Sequence, residues 1–314
     1  MDNSSPPSIL VVGAGAVGAL FGSALARQGA PVSVVCRSDY DAVKSGGYDI
    51  RSPLLGDHRF RPQAVFREAA ECRTPPDYLI LTSKVLPGSD RAALIRPAVG
   101  PRTVIVLIQN GVDIEPPIAS AFPDHELLSS LAFVAVGRTA AGAVHHQSLG
   151  SLIMGRYPVG STPSAARLAA LFEASKVGCR LTDDIVGARW QKAVWNATFN
   201  PISIMGGVLD TAMMLATEQN ETFVRQAMTE VCAVAAADGH PQSPKLVDQM
   251  ISSTRAMPAY KTSMALDYEN GRPMEIEAIL GNTVHAARRL SVSVPALDAI
   301  YALARMIDNA RNIA

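Results

Sequence analysis

Apolar and polar positions alternate in blocks along the first half of the chain. Four apolar runs have the length of strands that are buried on both faces: residues 8–12, 31–35, 77–83 and 103–108. Stretches with helical spacing separate them, first at residues 16–29 and again at residues 89–99. Repeated strand–helix–strand units of this kind predict a parallel sheet that is covered by helices on both faces.

The pattern changes at about Glu126, where longer segments replace the short runs. Residues 126–139 and 143–156 have strand character and are joined through the turn sequence TAAG. We therefore expect them to add an antiparallel hairpin to the sheet. A helical segment follows at residues 164–175, and residues 179–184, CRLTDD, are expected to hold a last strand.

Beyond Asp183 the apolar residues follow a helical spacing. Five segments carry it: residues 189–199, 220–238, 244–255, 274–290 and 295–310. No further strand pattern is recognisable in this part of the sequence. The change of pattern predicts two domains, an α/β domain at residues 1–183 and a mostly helical domain at residues 184–314.

Composition restricts the partners of the protein but does not select a function. The 314 residues are 48% hydrophobic and have a formal net charge of zero, which favours neither nucleic acid nor an acidic membrane surface. The longest apolar runs are shorter than a membrane span, and the polar first residues, MDNSSPPS, lack a signal segment. Four scattered cysteines without a CxxC pair favour neither disulfides nor a metal site. We expect a cytoplasmic protein without a metal.

A glycine-rich segment follows the first predicted strand and opens the first predicted helix. It reads GAGAVG, so the candidate cofactor-binding residues are Gly13, Ala14, Gly15, Ala16, Val17 and Gly18. The glycines allow a tight turn, a close approach of a pyrophosphate and close packing of helix on strand, while the helix N-terminus attracts phosphate. A purely structural glycine turn is the alternative. The predicted fold class is an α/β Rossmann-type dinucleotide-binding domain followed by a mostly α-helical C-terminal domain.

The end of the second predicted strand bears on the choice of dinucleotide. An enzyme that uses NAD usually places Asp or Glu there, where the carboxylate binds the ribose 2′-hydroxyl. Here Arg37 takes that place, and the first acid, Asp39, comes two residues later. A guanidinium can bind a 2′-phosphate that a carboxylate would repel, so we predict NADP(H). The alternative for Arg37 is a solvated loop arginine.

Two polar residues follow the next pair of predicted strands. Lys84 comes after the strand at residues 77–83, and Asn110 comes after the strand at residues 103–108. The carboxyl ends of parallel strands face the ligand crevice in folds of this class. Asn110 is therefore a candidate contact of the nicotinamide, its ribose or the substrate. An ordinary surface lysine and a simple Asn-Gly turn remain equally good interpretations.

One predicted helix carries polar residues at every fourth position among apolar ones. Lys192, Asn196 and Asn200 would stack along one face of it. When a hydride reaches a ketone carbon, a protonated lysine can stabilise the charge on the oxygen and then donate the proton. The two carboxamides can bind polar groups of a substrate. The alternative is a solvated stripe, although asparagine is a poor choice inside a helix.

A second group of candidates lies in the C-terminal part. Ser263 precedes one helical stretch, and Glu275 falls in the first turn of the next helix, after Gly271 and Pro273. Glu275 could anchor a substrate hydroxyl or keep Lys192 charged, or it could only favour its helix dipole. The neighbouring acids Asp267 and Glu277 are expected to be surface residues.

These segments together resemble the ketopantoate reductase (2-dehydropantoate 2-reductase) family. The matching pieces are GAGAVG, LTSK, QNG, the K-x-x-x-N-x-x-x-N-P run that starts at Lys192, TSMALD and MEIEAILG, in the order of the family. They span nearly the whole chain, and their combination is specific. The resemblance implies NADPH-dependent reduction of 2-dehydropantoate to (R)-pantoate, a step toward pantothenate and coenzyme A. It also implies a Rossmann domain joined to a helical domain, with the active site between them.

The resemblance also implies roles for the candidate residues. Lys192 would be the general acid and Glu275 a partner that binds the substrate. The other site residues would line the substrate site or attend the cofactor: Asn110, Asn196, Asn200 and Ser263 in the first case, Arg37 and Lys84 in the second. The sequence departs from the family at Asp210, where a substrate-contacting Asn is expected. An unpaired acid near a carboxylate substrate would repel it, so the keto acid remains open.

Three alternatives remain at this level. A reductase of another 2-keto acid would keep the same chemistry. A β-hydroxyacid dehydrogenase has a similar layout, but the glycine-rich segment that it normally carries before the lysine has no counterpart in VGARWQK. A non-catalytic NADP(H)-binding regulator would need the glycine loop but not the polar helix face. Rows of Met and Ala at residues 211–217, TAMMLAT, fit either a core or a homodimer interface.

Overall fold

The structure, a computed structural model, describes residues 6–313 of the chain. The chain forms two compact units, each with its own apolar core. The first comprises Met1–Lys84, Ser89–Gln109 and Glu115–Ile185, and the second comprises Val85–Gly88, Asn110–Ile114 and Val186–Ala314. Two short pieces from the first half of the chain thus belong to the second unit. The first five residues, on which the absence of a signal segment partly depended, lie outside the described residues.

A ten-stranded sheet organises the first unit. Its strands are β1 (Ile9–Val12), β2 (Val32–Val35), β3 (Tyr48–Arg51), β4 (His58–Phe60), β5 (Val65–Phe66), β6 (Tyr78–Leu81), β7 (Val104–Ile108), β8 (Leu127–Ala140), β9 (Ala143–Arg156) and β10 (Gly178–Leu181). Across the sheet the order is β4-β3-β9-β8-β7-β6-β1-β2-β5, and β10 pairs with β9.

The centre of this sheet is parallel, which confirms the predicted fold class. Ile9 of β1 pairs with Val32 of β2 on one side and with Tyr78 of β6 on the other, and β6 pairs in turn with β7. Every residue of β1, β6 and β7 is buried, as expected of strands with helices on both faces. These strands are continuous apolar runs in the sequence because both of their faces are buried.

The long hairpin predicted from the sequence is present, and the sheet also has three small strands that the sequence did not predict. Strands β8 and β9 pair antiparallel over most of their length, and β10 forms the expected last strand, parallel to β9. Strands β3, β4 and β5 have only two to four residues and lie at the two ends of the sheet order. They are too short for their alternation to be distinguished from loop sequence.

Twelve α-helices complete the described part of the chain. In the first unit these are α1 (Ala16–Ala26), α2 (Tyr40–Gly46), α3 (Arg91–Ile95), α4 (Pro116–Ala121) and α5 (Pro163–Ala174). From the end of that unit onward they are α6 (Ile185–Met205), α7 (Thr211–Met214), α8 (Glu218–Ala237), α9 (Leu246–Ala256), α10 (Ser263–Glu269), α11 (Asn282–Arg289) and α12 (Pro295–Ile313). A π-helical turn, Glu277–Gly281, leads directly into α11.

The second unit is built around α6, whose apolar face is fully buried. Trp190, Val194 and Phe199 have no exposed surface. Pro201 lies inside this helix and has no N–H to donate, so α6 lacks one backbone hydrogen bond there although it continues to Met205. On α8, the buried Glu230 accepts hydrogen bonds from the first amides of α12 and thereby caps that helix.

The described part of the chain has neither a helix suited to cross a membrane nor a cluster of side chains suited to bind a metal. No helix within residues 6–313 is both long and apolar enough to cross a membrane. Within the same residues, no cluster of three or more His, Cys, Asp or Glu side chains is arranged to hold a metal ion.

Candidate functional site

The glycine loop between β1 and α1 leaves no room for side chains at two of its three glycines. Gly13 has a φ of +82°, and a Cβ there would lie 2.6 Å from the backbone nitrogen of Ser83. At Gly18 a Cβ would lie 2.5 Å from the hydroxyl of Thr82. The first glycine permits the turn and the third lets α1 pack against the neighbouring strands.

The middle glycine borders open space. The nearest atom to a Cβ on Gly15 would be 3.9 Å away, and Gly15, which precedes α1, gives that helix no side-chain cap. The amides of the first helical turn have no carbonyl partner inside the helix, and there is no acid in that turn. These features fit a bound pyrophosphate, because free amides and the helix dipole both attract an anion.

A buried tyrosine that the sequence analysis missed supports this loop. The hydroxyl of Tyr48 donates a hydrogen bond of 2.7 Å to the carbonyl of Ala14, and Tyr48 is fully buried. Burial raises the pKa of the Tyr48 phenol well above its usual value, so the group stays a donor. Tyr48 pairs with Phe60 of β4, and the pairing of β3 with β9 connects these strands to the rest of the sheet; no local sequence signal marks this tyrosine.

The end of β2 carries one exposed cation and one buried acid. Arg37 is exposed, and within residues 6–313 its guanidinium has no hydrogen-bond or ion-pair partner. Asp39 is only 3% exposed, and its carboxylate forms an ion pair with Arg138 at 2.6 Å. Arg138, which no sequence pattern marks, lies 99 residues from Asp39, on β8. Asp39, the acid nearest to the place where NAD enzymes usually carry Asp or Glu, is therefore already paired with Arg138 inside the first unit.

The ends of β6 and β7 are tied together by a residue that the sequence analysis passed over. Gln109 donates from Nε2 to the carbonyl of Ser83 at 2.5 Å, and it accepts at Oε1 from the buried Arg91 at 2.9 Å. Lys84, a predicted cofactor contact, directly follows Ser83 and is partly buried. Gln109 thus fixes the backbone from which the Lys84 side chain projects.

In the second unit, the structure brings Lys192 and Asn110 together. The ammonium of Lys192 on α6 donates a hydrogen bond of 2.9 Å to Oδ1 of Asn110. Gly111 makes this placement of the loop possible, since its φ is +111° and a Cβ would lie 2.5 Å from the carbonyl of Ala278. Arg189, one turn before Lys192, donates to the carbonyl of Gly111 at 2.8 Å and holds the same loop.

The surroundings of Lys192 make its ammonium unusually acidic. Burial and the neighbouring charge of Arg189 lower the pKa of Lys192 from 10.5 to about 7, while Glu275 acts in the opposite direction. Lys192 can therefore be protonated or neutral near neutral pH. Such a group is suited to proton transfer, which an ordinary surface lysine is not.

Glu275 lies close to this group but not inside a helix. Its Oε1 accepts a hydrogen bond of 2.8 Å from the amide of Val85, in the short segment that joins the second unit. The expectation that Glu275 falls in the first turn of a helix is wrong, since helical structure begins one residue later, at Ile276. The carbonyl of Glu275 does accept from the amide of Ile279, so the residue precedes the helical turn as its cap.

The other polar residues of the predicted stripe are less tightly connected. Asn200 is buried, and Ser263 donates to its Oδ1 over a long distance of 3.5 Å. Ser263 is the first residue of α10 rather than the residue before it, because Thr262 provides the cap. Asn196 is partly buried between Lys192 and Asn200 on α6.

Three acids in the second unit have structural partners. Asp210 caps α7 by accepting a hydrogen bond of 2.8 Å from the amide of Met213. Asp267 and Glu277 were expected at the surface, but their side chains are only 13% and 22% exposed. Asp267 pairs with Arg272, whereas Glu277 accepts from Tyr301 and pairs with Arg305. Asp267 and Glu277 can be partly buried because each carboxylate has an arginine as partner.

Two family models match consecutive parts of the chain. The model described as ketopantoate reductase PanE/ApbA matches residues 9–158, and the model of its C-terminal part matches residues 184–308. Among curated relatives, 2-dehydropantoate 2-reductase from a Nostoc species is 28% identical over 303 residues, covering 95% of this chain and 94% of the relative.

Solved structures show the same similarity over the full length. The crystal structure of 2-dehydropantoate 2-reductase from Methylococcus capsulatus is 51% identical and covers 97% of each chain, with a TM-score of 0.91. D-mandelate dehydrogenase, solved with NADH and anilino(oxo)acetate, has a TM-score of 0.89 with coverage of 97% and 99%. At 21% identity, the second likeness concerns the fold alone.

Proposed function

Because the chain belongs to the ketopantoate reductase family, a family of oxidoreductases, we propose that it reduces the ketone of a 2-keto acid with NADPH. The proposed substrate is 2-dehydropantoate and the product (R)-pantoate, which serves pantothenate and coenzyme A synthesis. The contact between Lys192 and Asn110 is the observation that carries the proposal, because it sets an acid with a pKa of about 7 in a defined position.

The first unit has residues that fit the cofactor, which supplies a hydride when bound. The amides at the start of α1 would hold the pyrophosphate, with Gly15 leaving space for it. Arg37 would bind the 2′-phosphate, since it is exposed at the end of β2 and carries the required charge. Lys84, at the end of β6, would contribute a second cation to the cofactor site.

Lys192 would act as the general acid. A hydride that reaches the ketone carbon leaves negative charge on the oxygen, and an ammonium can stabilise this charge and then donate its proton. The hydrogen bond to Asn110 supports this role because it orients the ammonium. Glu275 supports it as well, since its carboxylate favours the charged form of Lys192.

The remaining polar residues would bind the substrate. Asn196, Asn200 and Ser263 offer donors and acceptors without charge, which suits hydroxyl and carboxylate groups. Asp210 does not contradict a carboxylate substrate, because its own carboxylate is used to cap α7. Asp210, which the sequence presented as an unpaired acid, therefore serves as the N-cap of α7.

A turnover assay tests the proposal. Purified protein is mixed with NADPH and 2-dehydropantoate, and in parallel with smaller and bulkier 2-keto acids, and the oxidation of NADPH is followed. We expect the fastest turnover with 2-dehydropantoate, and formation of (R)-pantoate in equal amount to the NADPH consumed. Turnover of none of the acids, together with tight NADPH binding, would contradict the proposal and favour a regulator.

A reductase of another 2-keto acid is the second candidate. The shared fold of D-mandelate dehydrogenase, solved with NADH and anilino(oxo)acetate, motivates it. The same assay with an aryl-substituted 2-keto acid and with NADH distinguishes the two candidates. Faster turnover of the aryl acid than of 2-dehydropantoate would replace the first substrate while leaving the role of Lys192 intact.

A further inference from the structure

The loop after β2 has a feature that the proposed function does not use. Asp39 accepts three hydrogen bonds: one from Arg138 at 2.6 Å, one from the Ser38 hydroxyl at 3.0 Å and a longer one from the Gly142 amide at 3.4 Å. A buried carboxylate requires such partners, because an unpaired one would be strongly destabilising. Asp39 therefore cannot turn toward a ligand without breaking this group of contacts.

Arg138 takes part in two contacts at once. Its NH1 donates to the Asp39 carboxylate and, at 2.7 Å, to the Ser38 hydroxyl. The side chain is 32% exposed, and within residues 6–313 its other two nitrogens have no hydrogen-bond partner. A guanidinium carries five N–H donors, so most of its binding capacity remains available.

The long hairpin brings Arg138 to this place. The turn between β8 and β9 lies against α2, where a Cβ on Gly142 would meet the carbonyl of Gly47 at 3.3 Å. The amide of Asp49 on β3 also donates to the carbonyl of Gly142. Because the turn is anchored in this way, the arginine is held beside the loop that follows β2.

We propose that Arg138 determines the preference of the protein for NADPH over NADH. It would act in two ways, by binding the 2′-phosphate together with Arg37 and Ser38 and by keeping Asp39 away from the ribose. This inference rests on the proposed function and adds a residue that the sequence motif after β2 does not contain.

Both effects follow from charge. Arg37 and Ser38 are exposed next to each other, and Arg138 adds a second guanidinium to the same group, which suits a dianionic phosphate. An NADH ribose needs an acceptor for its 2′-hydroxyl, and the nearest carboxylate is held by Arg138. Removing Arg138 should therefore weaken NADPH binding and release an acceptor for NADH.

Dissociation constants of NADPH and NADH, measured by titration calorimetry on the full chain, test this directly. We expect Arg138→Ala to weaken NADPH binding about tenfold or more, as for loss of a charge-assisted hydrogen bond, and to strengthen NADH binding. The gain for NADH should disappear in the double variant Arg138→Ala/Asp39→Asn. Arg59→Ala, which removes an exposed arginine from β4, is the matched control and should leave both constants unchanged.

A second variant covers the case in which Arg138→Ala does not fold. Asp39→Asn keeps Arg138 but removes the charge that competes for it, so NADPH should bind as tightly as before or more tightly. If Asp39→Asn or Arg138→Ala weakens both dinucleotides by the same factor, Arg138 is only a structural residue and the inference is wrong.

A third variant separates this inference from the proposed function. If Arg37→Ala abolishes the NADPH preference and Arg138→Ala leaves it unchanged, the inference fails but NADPH remains the cofactor. If the unaltered protein shows no preference for NADPH over NADH, both the proposed cofactor and the inference about Arg138 are wrong.

Discussion

The glycine loop of the first unit and the Lys192 group of the second unit are assembled in opposite ways. The loop consists of six consecutive residues, and its backbone amides together with the missing side chains of its three glycines form the predicted anion site. The Lys192 group comprises Lys192, its hydrogen-bond partner Asn110, Glu275, and Val85, whose amide donates to Glu275. Asn110 and Val85 come from the first half of the chain and Glu275 from its C-terminal part.

The difference shows which kinds of site a sequence can display. A site made of backbone requires glycines at fixed spacing, because only they permit the turn and the close packing. A site made of side chains requires only that the residues meet in space, and their spacing in sequence carries little of that information. Substitutions in the two regions should therefore have separable effects.

The largest expected effect is on Lys192. Lys192→Ala should lower kcat roughly a hundred- to ten-thousandfold, as for loss of a general acid, and leave the dissociation constant of NADPH nearly unchanged. Steady-state kinetics with 2-dehydropantoate and a binding titration measure the two quantities. Lys245→Ala, at an exposed lysine of the same unit, serves as the control. A variant that retains most of its kcat would remove Lys192 from the mechanism.

The glycine loop should respond in the reverse manner. Gly13→Ala places a Cβ 2.6 Å from Ser83 at a positive φ, so we expect weaker NADPH binding and a free energy of unfolding lower by about 1–3 kcal/mol. Gly29→Ala has the same φ of +82° but no atom nearer than 3.9 Å, and therefore isolates the backbone strain. Titration with NADPH and denaturant unfolding measure both variants. Equal losses of NADPH affinity in both would contradict a specific role of the loop.

The pH dependence of catalysis should follow the charge of Lys192. The acid must be protonated, so kcat/KM for reduction should be highest below pH 7 and fall about tenfold per pH unit above it. Because Glu275 raises the pKa of Lys192, Glu275→Gln should shift the fall to lower pH. Glu218→Gln, at an exposed position of α8, should leave the profile in place. An unshifted pH profile in Glu275→Gln would show that the Glu275 carboxylate does not control the pKa of Lys192.

The smallest effect is expected at Asp210, where sequence and structure suggest different roles. Asn caps a helix as well as Asp, so Asp210→Asn should change the free energy of unfolding by only a few tenths of a kcal/mol. Since the carboxylate is directed at Met213, KM for 2-dehydropantoate should also stay the same. Asp210→Ala should cost about 1 kcal/mol and confirms that the cap is real. A severalfold lower KM in Asp210→Asn would mean that the acid does repel the substrate.

The sequence alone was sufficient for the central sheet, the long hairpin and the helices of the second unit. Continuous apolar runs such as residues 103–108 predict strands that are buried between two layers of helices. After Asp183 the helical spacing of apolar residues predicts helices. The sequence also predicts the glycine loop as an anion site and Lys192 as a general acid, and these two roles stay predictions. These features depend on local order along the chain, which a sequence displays directly.

Only the tertiary structure decided which side chains meet. The partners of Lys192, the burial of Asp39 by Arg138 and the support of Ala14 by Tyr48 join residues that are 34 to 99 positions apart. The structure also changed the interpretation of Asp210, Asp267 and Glu277, because an acid is a ligand contact, a helix cap or half of an ion pair according to its neighbours. Electrostatic energy depends on distance in space, and that distance is set by folding.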